Sequence, residues 1–534
     1  MNRRFVLTAS LLVALLLMPF TGISQVLSEG TFKIARTFGL VEAFYVDTAD
    51  MGILTEKAIV EILKNLDPHS TYISAKDVKE MNEPLTGNFE GIGVQFNLLR
   101  DTIIIIEPIT GGPSEKVGIR AGDRILTINN EKVAGIKMTT TGVRKRLMGP
   151  KGTKVAITID RKGVTYPLDF TIIRDKIPIY SLDASYMLDT QTGYIKLNKF
   201  AATTEKEFMS AVDSLKKHHN MQNLVLDLRG NGGGYMLAAT SIAEKFFTDQ
   251  KLLVFLKGRK TPRQDYKSSG DGSLASTRIV VLTDEGSASA SEILAGAIQD
   301  WDRGIVVGRR TFGKGLVQNG FYLTDGSMIR LTIARYYTPS GRSIQRTYSE
   351  GYDKYMESFI KRFDNGEMLT SDSIKLADSL KFRTLVNKRT VYGGGGIMPD
   401  VFVSLDTSYS TQYFSRLFSK GIFNSFTLEY FDKNRAVLNS KYKTFNDFQK
   451  EFQVGPDLIK AFIERGESEG IRYNEEQFNR SKDEIILVLK GLIATNIWES
   501  NEYYQIINQN DRVIAEALKI IGDKKVYNNT LGYR

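Results

Sequence analysis

The segment Arg278–Asp300 reads RIVVLTDEGSASASEILAGAIQD, and the fold prediction starts from it. Arg278–Thr283 is a short apolar, β-branched run, which predicts a buried strand. Ala290–Asp300 has helical periodicity, and a turn rich in glycine and serine separates the two patterns. A strand, a tight turn and a helix in this order indicate one unit of a layered α/β fold.

The same alternation continues on both sides of this segment. Strands are predicted at Gly193–Leu197, Asn223–Leu228 and Ile305–Val307, and helices at Thr204–Lys217 and Met236–Phe247. We therefore assign residues 176–406 to an α/β core, with a polar and mostly helical insertion at residues 346–392.

The regions that flank the core have different patterns. Residues 25–86 and 407–534 show apolar residues at helical spacing, which predicts a helical region at each end. Residues 87–175 are rich in glycine and β-branched residues and predict a β domain. Its strands include Thr102–Pro108 and Arg124–Ile128, with a hairpin turn at Asn129–Asn130.

Residues 1–24 have the pattern of a signal peptide. Arg3 and Arg4 precede the apolar run Phe5–Met18, and small residues before Gln25 suit cleavage. The run is shorter than the ~20 apolar residues of a comfortable transmembrane helix. We expect export, with the periplasm as the compartment; secretion or an uncleaved membrane anchor are the alternatives.

Composition excludes several kinds of chemistry. The chain has a formal charge of +10, no cysteine and only three histidines, His69, His218 and His219. Without cysteine there is no cysteine nucleophile, thiolate zinc site or disulfide, and three histidines make a histidine-rich metal site implausible. The mild excess of basic residues is typical of a solvated surface, so we expect no nucleic-acid partner.

Ser289 is the candidate nucleophile. It lies at the predicted junction of strand and helix, where free backbone N–H groups and the helix dipole favour a developing negative charge. Ser287 and Ser291 stand where a lipase-type elbow has glycines, so that motif is not met. Plain helix capping is the alternative interpretation, since serine is a favoured N-cap residue.

A serine nucleophile needs a base. His218 and His219 follow two lysines at a helix end, which favours a solvated face, and His69 suits a structural turn. Lys314 remains, between two glycines and close to Phe312, soon after a buried strand. A lysine accepts a proton only when it is neutral, and burial favours that form. A solvated surface lysine is the alternative.

Two glycine-rich segments also raise nucleotide binding. Gly308–Lys314 matches most of a P-loop, but Gly315 replaces the Mg²⁺-binding serine or threonine and a strand-like stretch follows. In Asp227–Gly234, successive N–H groups could bind an oxyanion, whereas Tyr235 breaks the dinucleotide pattern. A purely structural turn is the alternative for this loop. We therefore expect no nucleotide.

Seven segments, in order, resemble the motifs of the carboxyl-terminal processing proteases, the tail-specific serine proteases of bacteria and plastids. They are Leu66–Tyr72, Gly91–Val94, Gly122–Ile125, Leu226–Asn231, Gly286–Glu292, Thr311–Gly315 and Tyr337–Arg342. The resemblance covers roughly residues 40–400. It implies a multidomain α/β protein, with a serine-protease core of crotonase-like layering and an inserted PDZ-like domain at residues 87–175.

The resemblance also implies roles for individual residues. Ser289 corresponds to the nucleophile, Lys314 to the general base and Gln318 to the glutamine that often supports the lysine. The backbone N–H groups of Ala290 and of Gly232 or Gly233 correspond to the oxyanion hole, although the family often has proline at the position of Gly232. No metal or cofactor is implied.

The PDZ-like domain would bind the C-terminus of a polypeptide substrate, with Gly91, Ile92, Gly93 and Val94 as the carboxylate-binding loop. We thus expect a serine endopeptidase that cleaves exported proteins with apolar C-termini. A catalytically silent PDZ scaffold and a hydrolase of a non-peptide ester are the alternatives. The resemblance leaves the insertion and the C-terminal helices unassigned; oligomerisation or adaptor docking is our hypothesis for the latter.

Overall fold

The computed structural model describes residues 28–99 and 101–533, which form two units that divide after Leu63. The predicted signal peptide, residues 1–24, lies outside the described residues. Within the described part of the chain, no helix has both the length and the apolar character needed to cross a membrane.

The first unit consists of two helices, α1 (Glu29–Phe44) and α2 (Met51–Lys64), and α2 runs one residue past the division. The Ser28 hydroxyl caps α1 by accepting a hydrogen bond from the Thr31 N–H at 3.2 Å. No residue of α1 is buried. The predicted N-terminal helical region is confirmed here.

The second unit opens with β1 (Thr71–Ile73) and α3 (Ala75–Thr86) and continues into a β-rich region. That region contains β2 (Asn88–Gly91), β3 (Val94–Leu99), β4 (Thr102–Pro108), α4 (Pro113–Lys116), β5 (Arg124–Ile128), β6 (Glu131–Lys132), α5 (Thr140–Leu147), β7 (Lys154–Asp160), β8 (Leu168–Ile173) and β9 (Asp175–Pro178).

This β-rich region has a sheet and a core of its own. The sheet order is β3-β4-β5-β7-β8, so β3 is an edge strand, and all of these pairs are antiparallel. Asn129 and Asn130 have φ of 49° and 66°, which confirms the predicted hairpin turn between β5 and β6. Val143 and Leu147 of α5 are buried against the isoleucines of the sheet.

The α/β region follows. It contains β10 (Leu182–Met187), β11 (Thr192–Leu197), α6 (Thr204–His219), β12 (Asn223–Asp227), α7 (Met236–Glu244), β13 (Leu252–Lys257), β14 (Gln264–Lys267), β15 (Arg278–Thr283), α8 (Ala290–Asp300), β16 (Ile305–Gly308), β17 (Leu316–Tyr322), β18 (Met328–Tyr337), α9 (Tyr352–Asp364), β19 (Lys381–Arg383), β20 (Thr390–Tyr392) and β21 (Val401–Phe402).

Two sheets form the core of this region. The first has the order β10-β11-β12-β15-β16-β21 and is parallel apart from the β10–β11 pair. The second has the order β1-β18-β13-β14, with β17 also paired to β18. Every residue of α8 is buried, and α8 packs against β13 and β16. Because burying one large apolar side chain contributes roughly 1.5–3 kcal/mol, this packing fixes the N-terminus of α8 firmly.

The insertion is less helical than its sequence predicts. Only α9 is an α-helix, and two short 3₁₀ turns and the β19–β20 hairpin follow it. The ends of the insertion lie side by side, because the Gly394 N–H donates to the Ser343 carbonyl at 2.7 Å.

The C-terminal region is helical, as predicted. Its helices are α10 (Gln412–Ser419), α11 (Ile422–Lys441), α12 (Phe445–Glu451), α13 (Pro456–Ser468), α14 (Glu475–Ile497), α15 (Ser500–Ile507), α16 (Arg512–Gly522) and α17 (Lys524–Thr530).

These helices serve two different cores. Those from α10 to α15 share an apolar cluster of their own, whereas Ile514 of α16 and Tyr527 of α17 pack against the parallel sheet beside Val225 and Val280. The two last helices therefore complete the α/β core by covering the second face of its sheet.

Candidate active site

The turn between β15 and α8 is built by small polar residues. The Ser287 hydroxyl donates to the Leu228 carbonyl at 2.8 Å, and the Ser291 hydroxyl donates to the Asn231 carbonyl at 2.8 Å. Both serines are fully buried, whereas Ser289 between them is only half-buried. The outer serines thus fasten the turn to the loop after β12 and leave Ser289 accessible.

Ser289 has a strained backbone. Its φ of 55° and ψ of −113° lie in a region that non-glycine residues rarely occupy. It is the N-cap residue of α8, the position that the alternative interpretation gave it, and its side chain is only partly buried there. A serine on a strained strand-to-helix turn is the arrangement of a nucleophile elbow, although the G-x-S-x-G pattern is missing.

The glycine loop after β12 lies directly against Ser289. A Cβ at Gly233, where φ is +98°, would come within 2.7 Å of the Ser289 Cβ, so only glycine fits there. The Gly233 N–H already donates to the Asn231 Oδ1 at 2.9 Å. Among the described residues, the N–H groups of Gly232 and Ala290 have no acceptor.

Glu292 joins the serine turn to the loop that carries Lys314. One carboxylate oxygen accepts from the Ser289 N–H at 2.8 Å and the Lys314 N–H at 2.9 Å. The other accepts from the Gly313 N–H at 2.7 Å and the Thr311 hydroxyl at 2.5 Å. Burial raises the pKa of Glu292 to about 7, although these four donors oppose the shift.

Glu292 is the last residue of the Gly286–Glu292 motif, and the resemblance implies no role for it. The signal for it was present, because Ser289 and Glu292 have the spacing of a capping box, in which the acidic residue reaches back to the N-cap N–H.

Lys314 lies in the loop between β16 and β17 and is half-buried. Burial and then the charge of Arg330 lower the pKa of its ammonium, while Glu292 and Asp67 act in the opposite direction. In the part of the chain that the structure describes, its Nζ has no hydrogen-bond or ion-pair partner. These are the conditions that favour a neutral, available amine.

Tyr336 of β18 provides a second connection between the two segments. Its buried hydroxyl lies 3.0 Å from the Ser289 carbonyl and 2.8 Å from the Lys314 carbonyl, and it donates to both. Tyr336 lies just before the Tyr337–Arg342 motif and carries no sequence signal of its own. The structure thus brings Ser289, Lys314, Ala290 and the glycine loop into one site.

Gln318 lies at the edge of this site. Its Nε2 donates to the Thr332 hydroxyl at 3.2 Å, and that hydroxyl donates to Asp67 at 3.0 Å. Gln318 forms no hydrogen bond with Lys314 among the described residues. It is therefore connected to the segment that contains Asp67 and not to the lysine.

His69 occupies a turn, as predicted, but that turn is near Lys314. Its backbone N–H donates to the Asp67 carboxylate at 2.8 Å, and its imidazole Nε2 is 3.1 Å from the Tyr355 hydroxyl of α9. Burial, and then the charge of Lys314, lower the pKa of His69 to about 4. The imidazole is therefore neutral above about pH 5.

A cavity of about 640 Å³ opens beside Ser289. Its wall is largely apolar and includes Met236, Leu237, Ile293 and Leu316. An apolar side chain of a ligand fits this surface best.

The predicted carboxylate-binding loop precedes the edge strand β3. Gly93 has φ of +72°, and a Cβ there would lie 2.9 Å from Ile177. The carbonyls of Ile92 and Gly93 accept from Ser114 and Ile109, whereas their N–H groups have no acceptor among the described residues. Two free adjacent N–H groups beside an open strand edge suit a peptide C-terminus.

The P-loop alternative for Gly308–Lys314 is wrong. The segment after Gly315 is strand β17, whereas a P-loop opens a helix whose N-terminus binds phosphate.

Comparison with known proteins identifies the class of the core. Residues 191–351 match the peptidase family S41, and residues 104–161 match the PDZ domain. Residues 413–499 match a family of unknown function. The core is thus that of an S41 serine peptidase and carries a PDZ domain.

Individual relatives are more specific. The chain is 36% identical over 325 residues to a carboxy-terminal-processing protease of Bartonella bacilliformis, covering 59% of this chain and 74% of the relative. It is 36% identical over 317 residues to the carboxy-terminal processing protease CtpB of Bacillus subtilis, covering 59% and 65%. The solved photosystem II D1 C-terminal processing protease is 30% identical, covering 59% and 84%, with a TM-score of 0.35. The chain belongs to the carboxy-terminal processing proteases.

Proposed function

We propose that this protease cleaves exported polypeptides near or from their C-termini with a Ser289–Lys314 dyad, while its PDZ domain binds the tail of the substrate. One observation supports the dyad above all. Glu292 accepts hydrogen bonds from the N–H groups of both Ser289 and Lys314, which holds the two residues in one site.

In this mechanism the Ser289 Oγ attacks the carbonyl carbon of the scissile peptide bond, and its proton passes to neutral Lys314. The protonated lysine then gives this proton to the leaving amine as the C–N bond breaks. Water then attacks the carbonyl carbon of the resulting ester while neutral Lys314 takes a proton from the water. Lys314 returns this proton to the Ser289 Oγ as the C–O bond breaks, which releases the new carboxyl terminus and regenerates both residues. No step needs a metal or a cofactor.

The negative charge on the attacked oxygen needs preorganised donors. The Ala290 N–H and the Gly232 N–H have no acceptor of their own among the described residues and are the donors that we assign. Gly233, our other candidate donor, has its N–H engaged by Asn231, so its role is close packing against Ser289.

The apolar cavity beside Ser289 suggests which bonds are cut. Its wall, which includes Met236 and Leu316, favours an apolar side chain on the residue before the scissile bond. The free N–H groups of Ile92 and Gly93 would bind the terminal carboxylate, and the tail would add a strand to β3. Substrates would therefore be unfolded polypeptides with apolar C-termini.

Export is the corresponding proposal for location, and the periplasm is the compartment that we favour. It rests on the basic residues Arg3 and Arg4 and the apolar run after them.

The decisive experiment uses the protein from residue 25 onward and an unfolded substrate with an apolar C-terminus, read by mass spectrometry. We expect Ser289→Ala and Lys314→Ala to abolish cleavage, whereas Lys257→Ala, at an exposed lysine of β13, retains it. A substrate with an amidated C-terminus should show a higher KM with little change in kcat.

Cleavage by Ser289→Ala at the unmodified rate would refute the nucleophile. If the unmodified protein binds the tail but cuts nothing, the silent PDZ scaffold becomes the better account. A KM unaffected by amidation would refute the role of the PDZ domain while leaving the dyad intact.

A further inference from the structure

The insertion (residues 346–392) contacts the loop that carries Lys314. It touches each of the residues 310–313, which precede the lysine. We call residues 310–314 the lysine loop. The Arg362 guanidinium of α9 donates to the Thr311 carbonyl at 2.9 Å and to the Arg310 carbonyl at 2.8 Å. One planar guanidinium group thus holds two adjacent carbonyls of this loop, a geometry that only arginine provides.

A buried carboxylate keeps that guanidinium in place. Glu367 accepts from the Arg362 Nε at 2.9 Å and forms two hydrogen bonds with Arg310, at 2.6 and 2.8 Å. The side chains of Arg362 and Glu367 are only 4% and 8% exposed. Burial, and then the charge of Arg310, lower the pKa of Arg362 to about 10, so it remains charged at neutral pH.

Aromatic packing holds the next residue of the loop. The Phe312 ring lies 5.1 Å from Phe359 and 6.4 Å from Tyr355, both on α9. The Arg346 guanidinium stacks on all three rings, with its carbon 4.5 Å from the centre of Phe312. The Arg346 N–H donates to the Gly313 carbonyl at 3.0 Å.

The insertion leaves and rejoins the core at neighbouring points. Its ends are paired, since the N–H groups of Gly394 and Gly396 donate to the carbonyls of Ser343 and Ile344. The two buried side chains of α9 both touch the lysine loop, since Arg362 donates to the Thr311 and Arg310 carbonyls and the Tyr355 ring packs edge-on against Phe312. The insertion is therefore placed to control the position of the lysine loop.

We propose that the insertion sets the position and the burial of Lys314, and that Arg362 is the positioning residue through which it does so. The inference rests on the proposed role of Lys314 as the base. Lys314 must be both close to Ser289 and shielded from water. Without Arg362 the lysine loop keeps its hydrogen bonds to Glu292 but loses the donor to its Arg310 and Thr311 carbonyls, so we expect Lys314 to shift and to become more hydrated. A displacement of about 1 Å can cost about a hundredfold in rate.

The groups that face Lys314 define the expected pH effect. They are Arg330 and Tyr336 of β18, Glu292 of α8, and Asp67 and His69 of the segment before β1. None of them belongs to the insertion, so a change at Arg362 reaches Lys314 through the loop's position. Burial is the largest cause of the lowered pKa of Lys314, so a more hydrated lysine has a higher pKa.

The test compares Arg362→Ala with Lys361→Ala, which removes a charge from the exposed face of the same helix. We expect Arg362→Ala to lower kcat by about a hundredfold, with KM nearly unchanged, because the insertion does not line the apolar cavity. The acid limb of its kcat/KM profile should move to higher pH. Lys361→Ala should match the unmodified protein in both.

If Arg362 has only a structural role, Arg362→Ala should lower the rate equally at every pH, because partial unfolding does not move the acid limb of the kcat/KM profile. If Arg362→Ala does not fold, Arg362→Lys and Glu367→Gln should show a smaller fall in kcat and a smaller shift of the acid limb to higher pH. A folded Arg362 variant with kcat within twofold and an unmoved limb overturns the inference. Ser289→Ala and Lys314→Ala, assayed in parallel, separate this failure from failure of the dyad itself.

Discussion

Replacing Tyr336 by phenylalanine removes one oxygen atom from the centre of the site. That hydroxyl donates to the carbonyls of Ser289 and Lys314 at 3.0 and 2.8 Å, and it is buried. Phenylalanine keeps the ring that lines the apolar cavity, so substrate binding should be little changed. The change therefore isolates the connection between the nucleophile and the base.

The size of the effect follows from the contacts. The Ser289 carbonyl keeps the N–H groups of Glu292 and Ile293 as donors, whereas the Lys314 carbonyl loses the one donor it has among the described residues. A buried carbonyl without a donor costs about 1–3 kcal/mol, so we expect a loss of stability in that range. We expect kcat to fall by about ten- to a hundredfold, since the dyad is less well oriented. Burial, and then Glu292, hold the pKa of Tyr336 well above its ordinary value, so the loss should be the same at every pH.

Tyr337→Phe is the matched control. Tyr337 stacks on Phe255 with ring centres 4.8 Å apart, and its hydroxyl has no hydrogen bond among the described residues. Kinetics on a fluorogenic peptide give kcat and KM. A urea titration monitored by tryptophan fluorescence gives the free energy of unfolding. The unfolding is measured in a Ser289→Ala background to prevent self-cleavage. A Tyr336→Phe enzyme with kcat and stability equal to the Tyr337→Phe control would refute the reasoning.

Three further predictions have signs fixed by the structure. Arg330→Gln removes a charge that lowers the pKa of Lys314, so the acid limb of kcat/KM against pH should move to higher pH. Glu292→Gln removes a charge that raises the same pKa, so the acid limb should move to lower pH while the plateau value of kcat/KM falls. An acid limb that moves to higher pH would contradict this. Gly233→Ala has no room for its Cβ and should lower both the melting temperature and the activity. A Cβ at Gly232 has no atom within 4 Å, so Gly232→Ala should retain the unmodified melting temperature. Equal losses of melting temperature in the two variants would show that packing is not the cause.

Local pattern was enough to predict much of the fold. Strands β4, β5 and β15 and helix α8 have the predicted bounds, because turn-forming residues flank strong apolar periodicity in each case. The insertion was predicted poorly, since its polar sequence forms one helix, short 3₁₀ turns and a hairpin. The attachment of α16 and α17 to the parallel sheet depends on packing across the whole chain and leaves no local pattern.

The same division applies to the site. Ser289 and Lys314 stand out in short glycine- and serine-rich motifs, and the structure brings their segments together. Tyr336 and Arg362 were missed because they act through hydrogen bonds to residues 47 and 52 positions away, respectively. His69 was correctly placed in a turn, but only the folded chain brings that turn near Lys314.

The most direct measurement of the central claim is labelling with a serine-reactive fluorophosphonate, followed by intact mass and peptide mapping between pH 6 and 10. The account predicts one label, on Ser289, at a rate that rises with pH as Lys314 loses its proton. Lys314→Ala should label far more slowly, and Ser289→Ala should not label. A label on another residue, or an unchanged labelling rate in Lys314→Ala, would contradict the Ser289–Lys314 dyad.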